Sequence, residues 1–241
     1  MKKKKLIFFS AHPDDHLLCA GTLMWLKQKD FSLLEVLATG GEKGTWFLDE
    51  KRIKTTYHPQ ELKKQRKKEF LQALKMIGIT KTVFLGLKDS EISFEIKTVN
   101  KIIKIIRKEK PQIVITLNRN DYHRDHCQVA EMVLEAVKRA CWDCFLELGQ
   151  PHLVPIVLMT ESIIHLGKSH VLVDITGFWK KKKNLYEIYS SQMDKKTKRF
   201  VETIDFYRGF LSKNKKCDYG ERFEIPEEFP LNLNILSSFF V

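Results

Sequence analysis

Two short clusters of histidine and aspartate stand roughly a hundred residues apart: Ala11-His12-Pro13-Asp14-Asp15-His16 and His123-Arg124-Asp125-His126. Together they hold what a hydrolytic metal site needs, namely imidazole and carboxylate ligands, a spare carboxylate and a second histidine beside them. A catalytic zinc usually takes three protein ligands and keeps its fourth position for water. His12, Asp15 and His126 meet that count, leaving Asp14 as a base and His123 as a polariser or acid. Pro13 fixes its own φ, which stiffens the turn between His12 and the aspartates. Each cluster has a plainer reading, a capping aspartate beside a turn proline in the first and an ordinary helix start in the second. What favours chemistry is that both occur, each between a strand and a helix, the context such a motif needs.

The elements that must hold these clusters can be read along the chain. The apolar run 5–10 reads as a buried strand and leads through the first cluster into a helix over 17–29. A strand over 32–39 is followed by a long loop from 40 to about 60, a helix over 61–77 and a strand over 81–86. A helix over 95–109, a strand over 112–117 and a helix over 126–140 complete the alternation, with further strands near 154–159 and 170–174. This pattern predicts an α/β fold, Rossmann-like and three-layered, with a mostly parallel sheet between helices. Loops carrying His12–Asp15, Glu42 and His123–His126 then converge at the carboxyl edge of the strands, where open α/β sheets place their ligands. The later segments 178–189 and 195–211 read as helices, with Lys180–Lys183 on the solvent side of the first. Domain organisation is expected to be single over 1–241, an α/β core to about 175 and then C-terminal helices and a tail that complete the site.

Composition narrows the classes. A chain of 241 residues, 43% hydrophobic and 30% charged, suits one globular α/β domain. No apolar run approaches the ~18 residues of a membrane span. The lysines at 2–5, followed by Leu6 to Ala11, imitate a signal peptide, but the apolar part is too short and runs into the first cluster, so it reads as a strand with a basic leader. Five cysteines show no disulfide framework and suggest reduced thiols in a cytoplasmic protein, the CxxC of Cys141 and Cys144 included. The net charge of +12 lies largely in lysine runs without interleaved aromatics or a nucleic-acid motif, so no nucleic-acid partner is expected. Trp46, Phe47 and Tyr57 in the long loop can stack on a sugar or anchor the loop. The apolar end, Leu231 to Val241, reads as packing, and homo-oligomerisation stays open.

The chain resembles the PIG-L/LmbE-like metal-dependent de-N-acetylases, which include N-acetylglucosaminyl-phosphatidylinositol deacetylase and the deacetylases of the mycothiol and bacillithiol pathways. Besides the two clusters, the resemblance rests on Thr39-Gly40-Gly41-Glu42-Lys43-Gly44, Arg66-Lys67-Lys68-Glu69, Phe84 to Asp89, Pro111 to Thr116, Asn120 to His126, Ser191-Gln192 and Gly220-Glu221-Arg222-Phe223. It implies a zinc-dependent hydrolase removing acetyl from an N-acetylated amino sugar or its glycoconjugate, with Fe2+, Co2+ or Ni2+ also suited to the ligand set. Asp14 would be the base, His123 a protonated oxyanion stabiliser, and Asp125 its orienting carboxylate. Arg66, Asp89, Tyr122 and Glu42 would meet the substrate, the glycine-rich loop would form a lid or rim, and Ser191, Gln192 and Glu221 would support the site. Two positions depart from the pattern: many members carry glutamate where this chain has His16, and histidine where it has Tyr189. The alternatives are a metal-dependent amidase for a larger thiol- or glycoconjugate amide, and a non-enzymatic carbohydrate- or lipid-binding module.

Overall fold

The computed structural model of the chain describes residues 3–44, 59–162 and 170–229. Trp46, Phe47, Tyr57 and the apolar end from Leu231 lie outside the described residues. Strands β1 (Lys5–Ser10), β2 (Ser32–Thr39), β3 (Lys81–Leu87), β4 (Ile113–Thr116), β5 (Ile156–Thr160), β6 (Val171–Asp174) and β7 (Gly220–Glu224) alternate with helices α1 (Ala20–Gln28), α2 (Pro59–Ile77), α3 (Ile96–Glu109), α4 (Arg124–Ala140), α5 (Trp179–Ile188) and α6 (Lys195–Phe210). The strands join in one sheet of order β3-β2-β1-β4-β5-β7-β6. β1 to β5 run parallel, and β7 inserts antiparallel between β5 and β6. The expected Rossmann-like architecture is therefore present. Sequence reading had missed β7.

β1 and β4 are apolar except at their ends, and Leu6, Ile7, Phe8, Ile113, Val114 and Ile115 are all fully buried. Such runs are what a parallel strand covered on both faces requires. The chain walks from β1 to β2 to β3, then α3 carries it back to β4 on the other side of β1. This reversal puts α1 and α2 in one group, which α5 joins, while α3 packs with α4. The crevice between β1 and β4 is the topological switch point of the sheet, the usual ligand position in this architecture. Both histidine-aspartate clusters leave the sheet there.

Candidate metal centre

β1 passes directly into the first cluster. Asp15 N–H donates to His12 C=O at 3.3 Å, closing a tight turn with Pro13 at its second position. Asp14, at φ −103° and ψ −4°, has the conformation of the third position of a type I turn. Asp15 fastens the turn from below: its Oδ2 accepts the N–H groups of Ala11 (2.7 Å) and His12 (2.8 Å), leaving Oδ1 to face inward. The chain then makes a short 3-10 turn, Asp15–Leu18, before α1 begins, three residues later than the expected start at 17.

β4 delivers the second cluster. Asp121 accepts the His123 N–H through Oδ1 (2.9 Å), and α4 starts at Arg124, putting His126 in its first turn. The other oxygen, Oδ2, lies 3.0 Å from His126 Nδ1, so Asp121 fixes that ring with Nε2 toward the first cluster. Sequence reading gave Asp121 no role. A carboxylate five residues before a candidate ligand histidine, across a helix start, was the available signal.

The three expected ligands meet. His12 Nδ1 lies 3.3 Å from His126 Nε2 and 3.7 Å from Asp15 Oδ1, and Asp15 Oδ1 lies 3.2 Å from His126 Nε2. Bonds of ~2.0–2.2 Å at a tetrahedral centre separate ligand atoms by about 3.3–3.6 Å. The residues present thus fit a divalent ion with both imidazoles and one carboxylate oxygen directed at it. Donor atoms of His123 also come within 4.8 Å of those of His12 and His126, and Asp89 and Asp125 flank His12 Nε2 at 3.3 and 3.4 Å.

The charges agree with a cation site. Burial works against a charged His12, but Asp125, Asp15 and Asp89 outweigh it and hold the ring well above its ordinary value. Burial likewise opposes charge on His126, while Asp15 and Asp121 raise it to about 9. Asp15 is pushed up by burial but pulled well below the usual carboxylate range by His126 and His12. Several carboxylates gathered round imidazoles hold protons where a metal would otherwise supply the positive charge.

Two expected contacts are not formed. Asp125 does not pair its carboxylate with His123: Oδ2 accepts from Ser90 N–H (2.7 Å), and only its backbone N–H reaches His123, donating to Nδ1 at 3.2 Å. Burial, then the charges of His12 and His126, lower His123 below its ordinary value. Because Nδ1 accepts that N–H, the ring's other nitrogen, Nε2, is the one free to carry a proton, and the surroundings disfavour the protonated ring that was expected. Glu42 does not line the cavity either; it accepts from Asp89 N–H (3.3 Å) and pairs with Lys63 at 3.7 Å, bracing the glycine-rich loop.

The remaining site residues are on the cavity wall. Asp14 forms an ion pair with Arg66, whose Nη1 also donates to Gly41 C=O at 2.9 Å. Gly41 has φ +65°, and a Cβ there would collide with the Arg66 guanidinium, as one on Gly44 would. The glycines serve this arginine's passage to Asp14. Asp89 is almost fully buried, accepting from Lys43 N–H and Ser90 Oγ, whereas Tyr122 is 63% exposed at the rim. Glu69 binds Ser191 through its N–H (3.0 Å) and hydroxyl (2.5 Å), tying the C-terminal part to α2. Glu221 accepts from Gly21 N–H, Thr22 N–H and Thr22 Oγ1, so it caps α1 immediately after the first cluster. Lys182, expected on the solvent side, is 1% exposed and bridges Glu221 (2.8 Å) and Asp205 (2.7 Å). His16 and Tyr189, the two departures from the family pattern, touch each other at 2.8 Å. They face away from the cavity, so His16 is not a ligand.

A doubly wound sheet with a two-histidine, one-carboxylate centre at its switch point, opening into a cavity of about 480 Å³, defines the class. The family model for GlcNAc-PI de-N-acetylase, PIG-L, matches residues 7–137, and the chain belongs to that family. It is 25% identical over 233 residues to the diacetylchitobiose deacetylase of Thermococcus kodakarensis, covering 91% of this chain and 83% of that one. The N,N'-diacetylchitobiose deacetylase structure from Pyrococcus horikoshii superposes with a TM-score of 0.78 at 25% identity, over 93% of this chain and 84% of the other. The 4-carboxy-2-hydroxymuconate hydratase of Pseudomonas putida KT2440 reaches a TM-score of 0.82 at 19% identity, over 95% and 98% of the two chains. The fold thus also carries other chemistry, and function must be argued from the site.

Proposed function

We propose that the protein is a divalent-metal-dependent hydrolase that removes acetyl from an N-acetylated amino sugar, of the N-acetylglucosamine type, or from its glycoconjugate. The observation that carries this reading is the triangle of His12 Nδ1, Asp15 Oδ1 and His126 Nε2 beside a separate carboxylate, Asp14. Family membership and the names of the two deacetylase relatives support the choice of acetamide. A divalent ion, zinc being the first expectation, would be held by those three side chains and supply Lewis acidity, lowering the pKa of water from 15.7 to about 7. Asp14 accepts the proton of the attacking water and returns it to the leaving amine, one carboxylate serving both steps. Arg66 engages Asp14 Oδ1, which leaves Oδ2 for the proton. His123, neutral with N–H at Nε2, donates to the oxygen that gains charge as the acetamide carbon is attacked. Asp125 and Asp89 flank His12 Nε2 and orient that ring rather than acting on substrate.

The test is acetate release, with added divalent metals, from N-acetylglucosamine glycosides of differing aglycone. Asp14→Asn should lose ~10²–10⁴ of the rate while keeping its metal; an unchanged rate removes Asp14 as the base. Release of a larger acyl group in preference to acetate would move the assignment to a conjugate amidase.

A further inference from the structure

Below the turn that carries Asp14 and Asp15 runs a chain of polar groups closed to solvent. Ser10, His16, Glu35 and Tyr189 are each 0% exposed. Ser10 Oγ donates to Glu35 Oε1 (2.9 Å), Glu35 Oε2 lies 3.0 Å from His16 Nδ1, and His16 Nε2 lies 2.8 Å from the Tyr189 hydroxyl. That hydroxyl donates to the Pro13 carbonyl at 2.6 Å.

The direction of the chain follows from its last link. A carbonyl oxygen only accepts, so the single tyrosine proton goes to Pro13. The tyrosine oxygen must then accept, which puts a proton on His16 Nε2, and Nδ1 is left to share one with Glu35. Every member is satisfied, and the run ends at the central peptide of the catalytic turn. Buried polar groups cost free energy unless fully paired, and an apolar side chain would fill the same space. What the polar chain adds is a fixed orientation for the Pro13–Asp14 peptide plane. Pro13 holds its φ through its ring, and its carbonyl direction sets ψ; those two angles decide where Asp14 leaves the turn. Phe70 stacks on His16 at 5.8 Å and closes the side of the relay against drift.

We propose that Glu35, His16 and Tyr189 are positioning residues, a buried relay that locks the Pro13–Asp14 peptide so that consecutive aspartates serve different tasks, Asp15 turned to the imidazoles and Asp14 to the cavity. The inference rests on Asp14 being the base. It also explains why a sequence neighbour of a metal ligand has both ring nitrogens committed away from the site.

Tyr189→Phe removes one hydroxyl and adds no bulk. Metal content and KM should stay within about twofold of the parent, while kcat falls on the order of 10- to 10²-fold, the scale expected when a reacting group is misplaced. In an Asp14→Asn background the same change should cost no further rate, since the relay acts through Asp14. His16→Leu supplies the second measurement, and combined with Tyr189→Phe it should lose no more kcat than either alone. If Tyr189→Phe unfolds, His16→Gln, which keeps a donor toward Tyr189, takes its place with a smaller fall in kcat. A kcat within twofold of the parent, a loss confined to KM or to metal content, or full additivity with Asp14→Asn overturns the relay. Should Asp14→Asn itself keep the parent rate, the functional reading fails instead, and the two failures are told apart by that one control.

Discussion

At the scale of single residues, the candidate ligands are fixed by partners that leave one donor atom of each free. Asp15 spends Oδ2 on two backbone N–H groups, and His126 has Nδ1 against Asp121. Asp121→Asn should therefore weaken metal binding by about 10- to 100-fold, as loss of an orienting carboxylate does, read by competition with a chromophoric chelator; unaltered affinity would remove Asp121 from that role. The same geometry fixes a pH dependence. In the metal-free protein the His126 pKa is raised from 6.5 to about 9, so folding favours the protonated ring. That stability is fully present below about pH 6.5 and is lost as pH climbs through about 9. A metal needs the neutral ring, so its affinity should rise over the same interval, with proton release seen by calorimetry in buffers of different ionisation enthalpy. A flat affinity would contradict the assignment. That His12, Asp15 and His126 would meet, with Asp14 beside them, was legible in the sequence because both clusters sat at strand ends. The state of His123 was not, because it depends on which atom of Asp125 faces it, and sequence spacing carries no such direction.

At the scale of elements, strand and helix alternation was readable from apolar runs such as Leu6 to Phe9 and Ile113 to Ile115, which only a sandwiched parallel sheet can bury. β7 was not readable, since three of its five residues, Glu221, Arg222 and Glu224, are charged and give no apolar run. Lys182 was lost for the same reason: within four successive lysines on α5, a single one points inward to Glu221 and Asp205. Lys182→Met would remove the only cation beside Glu221 among the described ion pairs, leaving Asp205 to Arg208 (3.3 Å), and should cost about 3–5 kcal/mol. The same change at exposed Lys180 or Lys181 should stay within about 0.5 kcal/mol. Denaturant midpoints of the three variants measure the difference, and equal values would mean that the bridge contributes nothing.

At the scale of the whole molecule, the triangle of His12, Asp15 and His126 joins residues from distant parts of the chain, with His12 and His126 separated by 114 positions. An ion that binds only the folded protein stabilises it by about 2.7 kcal/mol at a hundredfold excess over its Kd. Zinc should accordingly raise Tm, a chelator should reverse the rise, and His126→Ala should abolish it; a rise kept by that variant would place the ion elsewhere. No helix among the described residues is long and apolar enough to cross a membrane. The order of the sheet has one more consequence. β7 is threaded between β5 and β6, and its Glu221 secures the start of α1, the helix that follows the first cluster. The first cluster thus acquires its footing only when a segment 200 positions away has been paired into the sheet. A chain in which β7 has not paired would leave His12, Asp14 and Asp15 ahead of an unfastened helix, so the parallel half of the sheet cannot hold this geometry by itself.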